Sequence, residues 1–137
     1  MKAYNLDHVG IAVHDLDDAV SRYRQRYGVE PIHREVVESQ GVEETLLALG
    51  GSFIQLLMPL APDTPVGRFL ARRGEGLHHL AMAVLDIDAS LRHLADSGVR
   101  LIDSEARSGS RGTRIAFVHP ADLSGTLMEL VEYPDED

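Results

Sequence analysis

The sequence predicts an α+β fold built from two pseudo-symmetric βαβββ modules. Two observations carry that prediction: an internal repeat, and a switch within each copy from two-residue to helical hydrophobic periodicity. Residues 8–20 read HVGIAVHDLDDAV and residues 79–91 read HLAMAVLDIDASL, so an offset of 71 lays His8 on His79, Ala12 on Ala83, Val13 on Val84, Asp15 on Asp86 and Asp17 on Asp88. The ends of the copies match as well, Phe53-Ile54-Gln55-Leu56-Leu57 resembling Leu127-Met128-Glu129-Leu130-Val131 at an offset of 74. Two copies are too few for a solenoid, so a pair sharing one core is expected. The 137 residues then form a single domain, with module 1 over about 4–59, a linker over 60–76 and module 2 over about 77–134.

Each element follows in order. Residues 6–13 alternate as a strand, with Val9, Ile11 and Val13 on one face and His8, Gly10 and Ala12 on the other. Asp15 is placed to cap a helix whose first turn carries Asp17 and Asp18 and whose end carries Arg22, Arg24 and Arg26, as the helix dipole favours. Leu16, Ala19, Val20, Tyr23 and Tyr27 recur at helical spacing as its buried stripe, and Gly28 closes it. Strands are expected over about 30–37, 42–49 and 52–58, the last two joined at Gly50-Gly51. The linker holds Pro62, Pro65 and an amphipathic piece from Val66 to Arg73. Asp86, Ile87, Leu91 and Leu94, ending at Gly98, repeat the first helix, and strands are expected over about 99–105, 113–118 and 125–132.

Composition narrows the function. Thirteen basic against 22 acidic residues give a net charge of −9, which excludes nucleic acid as the main partner because phosphate neutralisation needs a basic surface. No apolar run is long enough to span a bilayer, and no signal-peptide core follows Lys2. The absence of Cys removes disulfides and thiolate metal sites, and a cytoplasmic setting is expected. Twelve of the 13 basic residues are Arg, the side chain suited to bidentate capture of carboxylate or phosphate.

Four polar residues interrupt strands that should be apolar. His8 shares its face with Gly10 and Ala12, and His79 shares its face with Ala81 and Ala83, so small neighbours leave room beside each ring. Gln55 and Glu129 break the last strand of each module, and a buried carboxylate is costly unless neutralised. A single such histidine is more often a hydrogen-bonded structural residue than a ligand. All four, however, occupy equivalent positions of the repeat, which points to one site for a divalent cation, and imidazole with oxygen suits Mn²⁺, Fe²⁺, Co²⁺, Ni²⁺ or Zn²⁺. His78 faces away from His79; His14 and His93 read as surface residues, and His33 and His119 flank strands. Of Glu43 and Glu44, one faces the apolar side. Glu44 shares its face with Leu46 and Ala48, where a carboxylate would be desolvated and suited to general-base work, though the residues alone leave open that both face solvent.

The chain resembles the methylmalonyl-CoA epimerases of the vicinal oxygen chelate superfamily almost end to end. The landmarks are DHVGIAV (7–13), HRE (33–35), QGVEE (40–44), IQLLMPL (54–60), GLHHLAMAV (76–84), GTRIAFVHP (112–120) and LMELVEYP (127–134). The resemblance implies paired βαβββ modules forming a cupped mixed β-sheet around a metal, with ligands His8, Gln55, His79 and Glu129. It implies one divalent ion, Co²⁺ foremost and Mn²⁺, Ni²⁺, Zn²⁺ or Mg²⁺ as the others, and two acid–base carboxylates, Glu44 and Glu129. The activity implied is interconversion of (2R)- and (2S)-methylmalonyl-CoA by two-base proton transfer at C2 through a metal-stabilised enolate, the thioester oxygen and free carboxylate chelating the ion. The implied partner is an acyl-CoA, its phosphates met by Arg68, Arg72, Arg73, Arg107, Arg111 or Arg114, and the implied assembly a homodimer. The competing readings are a glyoxalase-like isomerase of the same superfamily and a non-catalytic ligand-binding protein of the same fold. An extradiol dioxygenase is disfavoured by Gln55, a fourth protein ligand where dioxygen needs an open position.

Overall fold

The computed structural model describes residues 1–135, in which the chain forms two compact units of mixed helix and strand. One unit is His8–His78, and the other is Met1–Asp7 with the residues from His79 onward. The strand β1 (Ala3–Ala12) therefore contributes its first residues to one unit and His8–Ala12 to the other.

In the first unit β1 leads into α1 (Leu16–Tyr27), followed by β2 (Pro31–Val37), β3 (Val42–Leu49), β4 (Ser52–Pro59) and α2 (Pro65–Arg73). The Asp15 side chain accepts from Asp18 N, and Gly28 ends α1 in the left-handed region at φ 65°, where a Cβ would be strained. Strand order is β2-β3-β4-β1, antiparallel except for the parallel β4–β1 pair that the α1 crossover requires. Leu16, Ala19 and Val20 of α1 pack on Val13, Leu47 and Leu56, covering one face of these strands. The stripe ends earlier than its spacing predicts: Tyr23 is half-buried, and Tyr27 is 72% exposed with its ring against that of Tyr23. The opposite face packs Ala12, Val37, Val42 and Leu57 against Val66 and Leu70, so α2 is a core element of this unit. Arg34 fastens the outer strands by donating to Glu43 at 2.8 Å and to Asp17 of α1 at 2.6 Å.

The close seating of α2 supplies a stability test. A Cβ on Gly67 would lie 2.6 Å from both the Ala61 and Pro62 carbonyl oxygens, which are backbone and cannot swing aside. Gly67→Ala should therefore destabilise the protein by roughly 1–3 kcal/mol, read as a lowered urea midpoint. An unchanged midpoint would mean that α2 tolerates displacement.

The second unit repeats the plan with β5 (Gly76–Val84), α3 (Ile87–Asp96), β6 (Arg107–Ser108), β7 (Arg114–Val118) and β8 (Met128–Glu132). Asp86 caps α3 by accepting from Ala89 N, and strand order is β5-β8-β7-β6, with β5–β8 parallel. Ile87 and Leu91 of α3 pack on Val84, Ala116, Val118 and Leu130. The expected strand over 99–105 is not formed. Leu101 makes one isolated bridge to Val118, and the Asp103 side chain accepts from Phe117 N where a strand would offer a carbonyl, so the ladder stops and resumes only as the two-residue β6. The strand expected over 125–132 begins at Met128, because Ser124 and Gly125 turn the chain with φ of 59° and 77°. Among the described residues no helix is long and apolar enough to cross a membrane.

Candidate functional site

In each unit the helix after the first strand, α1 or α3, covers one face of the strands, and the polar residues singled out from the sequence stand on the other, part of which α2 also covers in the first unit. In the first unit Gln55 on β4 lies directly opposite Gly10 on β1, and His8 is two residues before Gly10 on the same face. In the second unit Glu129 on β8 lies opposite Ala81 on β5, and His79 is two residues before Ala81. The two arrangements correspond residue for residue: His8 with His79, Gly10 with Ala81, Gln55 with Glu129. All four polar side chains are buried, none more than 5% exposed.

The second pair meets directly. His79 Nε2 lies 3.8 Å from Glu129 Oε1, and the imidazole is held edge-on against Phe117 with ring centroids 5.4 Å apart. Phe117 pairs with Glu129 across β7–β8 and carries the Arg107 guanidinium 5.7 Å above its ring. Arg107 is steadied in turn by Asp103 at 3.3 Å.

The strand pair β2–β3 decides between the two glutamates. Glu43 is half-buried and tied to Arg34, whereas Glu44 is fully buried on the face that carries Gln55. Gln55 Nε2 donates to Glu44 Oε2. Glu44 Oε1 is left with no hydrogen-bond partner, a costly state for a buried carboxylate oxygen.

Gln55 Oε1 is likewise buried and unpaired. An amide whose donor is engaged and whose acceptor is not is poised to give an oxygen to a cation, and a neutral imidazole and a carboxylate are equally ready donors. The donor atoms of His8, Gln55, His79 and Glu129 thus suit a divalent metal in their chemistry.

Several residues were missed or left unassigned by sequence reasoning. Asp7, 1% exposed, accepts from the Tyr133 hydroxyl, and Arg111 donates to that hydroxyl at 3.0 Å while stacking over the ring. Burial and the Asp7 carboxylate push the Tyr133 hydroxyl up to about 12, so it stays a donor. This bond immediately precedes His8 in the chain, but its partners are 126 residues apart and no local pattern announces it. His33 Nε2 lies 2.8 Å from Glu35 Oε1; their spacing of two on a strand was the available sign. His78 turns to Phe69, ring centroids 5.0 Å apart, and burial lowers its imidazole to about 4. His119 Nδ1 accepts from Ala121 N at 3.0 Å, and His14 and His93 are exposed.

The arginine candidates separate by their partners. Arg114 is clamped by both oxygens of Asp88 at 2.8 and 2.9 Å, and Arg111 and Arg107 are engaged as described. On α2, Arg68 reaches the Asp63 carbonyl, Arg73 lies over Phe69, and Arg68, Arg72 and Arg73 are exposed.

Residues 7–117 match the model of the glyoxalase/bleomycin resistance protein/dioxygenase superfamily. The ethylmalonyl-CoA/methylmalonyl-CoA epimerase of Cereibacter sphaeroides is 36% identical over 127 residues, covering 91% of this chain and 95% of that protein. A variant of the Streptomyces coelicolor methylmalonyl-CoA epimerase, solved in complex with 2-nitronate-propionyl-CoA, superposes with a TM-score of 0.95 at 44% identity and covers 99% of both chains. A methylmalonyl-CoA epimerase solved with methylmalonyl-CoA and NH4+ superposes with a TM-score of 0.93 at 46% identity, covering 96% of both chains.

Proposed function

The chain belongs to the methylmalonyl-CoA epimerase family within the glyoxalase/bleomycin resistance protein/dioxygenase superfamily, and on that footing we propose that it interconverts (2R)- and (2S)-methylmalonyl-CoA by proton transfer at C2. The observation that carries the reading is Glu44, a buried carboxylate with one oxygen held by Gln55 and the other unpaired. A structural carboxylate would have both oxygens satisfied.

Glu44 and Glu129 are the two bases of the proposal. Glu44 Oε1 accepts the C2 proton of one epimer while Gln55 fixes the other oxygen, so the carboxylate meets the substrate in one orientation. Glu129 serves the other face of the same carbon, and each residue returns a proton when the reaction runs backwards. One base alone would mostly return the proton it took, exchanging without inverting. His8, Gln55, His79 and Glu129 would hold a divalent cation, which would supply a Lewis acid against the negative charge gathering on the thioester oxygen. Phe117 keeps the His79 ring from turning, and burial of these side chains keeps competing water from the carboxylates. The exposed arginines of α2 are the group with charge to spare for the phosphates of coenzyme A, Arg114 being committed to Asp88. A homodimer in the cytoplasm completes the proposal.

The test is exchange at C2 in deuterated buffer. The purified protein should wash deuterium into C2 of both methylmalonyl-CoA epimers, and chelation followed by Co²⁺ add-back should abolish and restore the exchange. Exchange that survives exhaustive chelation at full rate would remove the metal from the reaction, and absence of exchange under every metal would remove the reaction itself.

A further inference from the structure

A second cluster of donors lies on the β2–β3 pair. His33 and Glu35, two apart on β2, share a face, and Glu44 on β3 sits directly opposite Glu35. One donor atom from each of the three side chains lies within 4.8 Å of the others. Carboxylates directly opposite one another on neighbouring strands repel. The 2.8 Å contact of His33 with Glu35 answers one of the two. It leaves Glu44, completely buried, with its Oε1 unpaired. The side chains of His33 and Glu35 are 31% and 34% exposed, so the cluster is open to solvent on one side and closed by Glu44 on the other.

We propose that His33, Glu35 and Glu44 form a second cation site, selective for ions of the zinc class, and that filling it inhibits the enzyme. One imidazole nitrogen and two carboxylate oxygens make a donor set that suits Zn²⁺, with water completing the shell on the open side. The cation cancels the repulsion between Glu35 and Glu44 and satisfies the orphaned oxygen. It also engages the lone pair with which Glu44 would take a proton from carbon. With three protein donors, two of them about a third exposed, against four buried donors in the His8, Gln55, His79 and Glu129 set, the ion binds more weakly than the first and acts only in metal excess. Binding at this cluster stands independently of the reaction, whereas the inhibition rests on the role of Glu44 proposed above.

The experiment is a calorimetric titration of the chelated full-length protein with Zn²⁺, paired with the C2 exchange assay across the same range. The wild-type protein should show a tight binding event followed by a weaker one, with exchange falling by about tenfold or more as the weaker site fills. His33→Ala and Glu35→Gln should each lose the weaker event and keep the tight one, and Glu35→Gln should resist inhibition at the same Zn²⁺ concentration. His79→Ala should show the opposite loss, of the tight event alone. Circular dichroism on each variant separates loss of a site from loss of the fold. A single event in the wild-type protein, or a weaker event that persists in both His33→Ala and Glu35→Gln, overturns the site. A weaker event that disappears in those variants but leaves exchange untouched keeps the site and overturns the inhibition, and with it the assignment of Glu44 as base.

Discussion

Replacing Glu44 with Gln should stop inversion at C2 while leaving the fold in place. The substitution keeps the shape of the side chain and an oxygen to accept from Gln55 Nε2, so the contact seen between those two residues survives. It removes a buried carboxylate and introduces no cavity. A missing general base costs about 10²–10⁴-fold, and here the loss should be selective. Glu129 remains, so the epimer whose C2 hydrogen faces it should still exchange with solvent deuterium, and the other epimer should not. Chiral analysis of the recovered thioester distinguishes this from general damage, because a misfolded variant loses both exchanges together. Inversion at the wild-type rate would show that Glu44 carries no proton, and equal loss of both exchanges with an intact fold would show that it acts on binding.

The parts of this reading that were legible in the sequence are those fixed by short-range periodicity and by the repeat. His8 and His79 stand out because each breaks a two-residue alternation beside small residues. Gln55 and Glu129 stand out because they fall at the same position of the last strand in each copy. Asp15, Gly28 and Asp86 announced their helix ends through local hydrogen bonding, which the structure retains. What stayed hidden depends on partners distant in the chain. The choice between Glu43 and Glu44 is made by the pairing of β3 with β2 and β4 and by Arg34, which takes Glu43 outward to solvent. The stretch 99–105 carries strand-like apolar residues, yet Asp103 spends its side chain on Phe117 N and ends the ladder there. The Asp7–Tyr133 bond and the His33–Glu35–Glu44 cluster likewise exist only once separate segments are laid side by side.

Metal removal should lower the melting temperature of the wild-type protein, and the difference in melting temperature between Glu129→Gln and the wild type should change sign on chelation. A ligand bound only by the folded state stabilises it by about 2.7 kcal/mol when its free concentration is 100 times its dissociation constant, equivalent to several degrees for a chain of this size. Chelation withdraws that contribution. It also takes a divalent charge away from the Glu129 carboxylate, which is 2% exposed. Burying an ionised carboxylate opposes folding, and the imidazole of His79 at 3.8 Å is a poor substitute for a divalent charge. Glu129→Gln should therefore melt below the wild-type protein when Co²⁺ is present, because a charged ligand is lost, and above it when the ion is stripped, because a buried charge is lost. Differential scanning calorimetry on four samples, two proteins with and without chelator, reads the crossing directly. If Glu129→Gln lies below wild type by the same margin in both conditions, Glu129 is a structural residue with no part in holding a cation; if neither protein responds to chelator, the ion contributes nothing to the folded state.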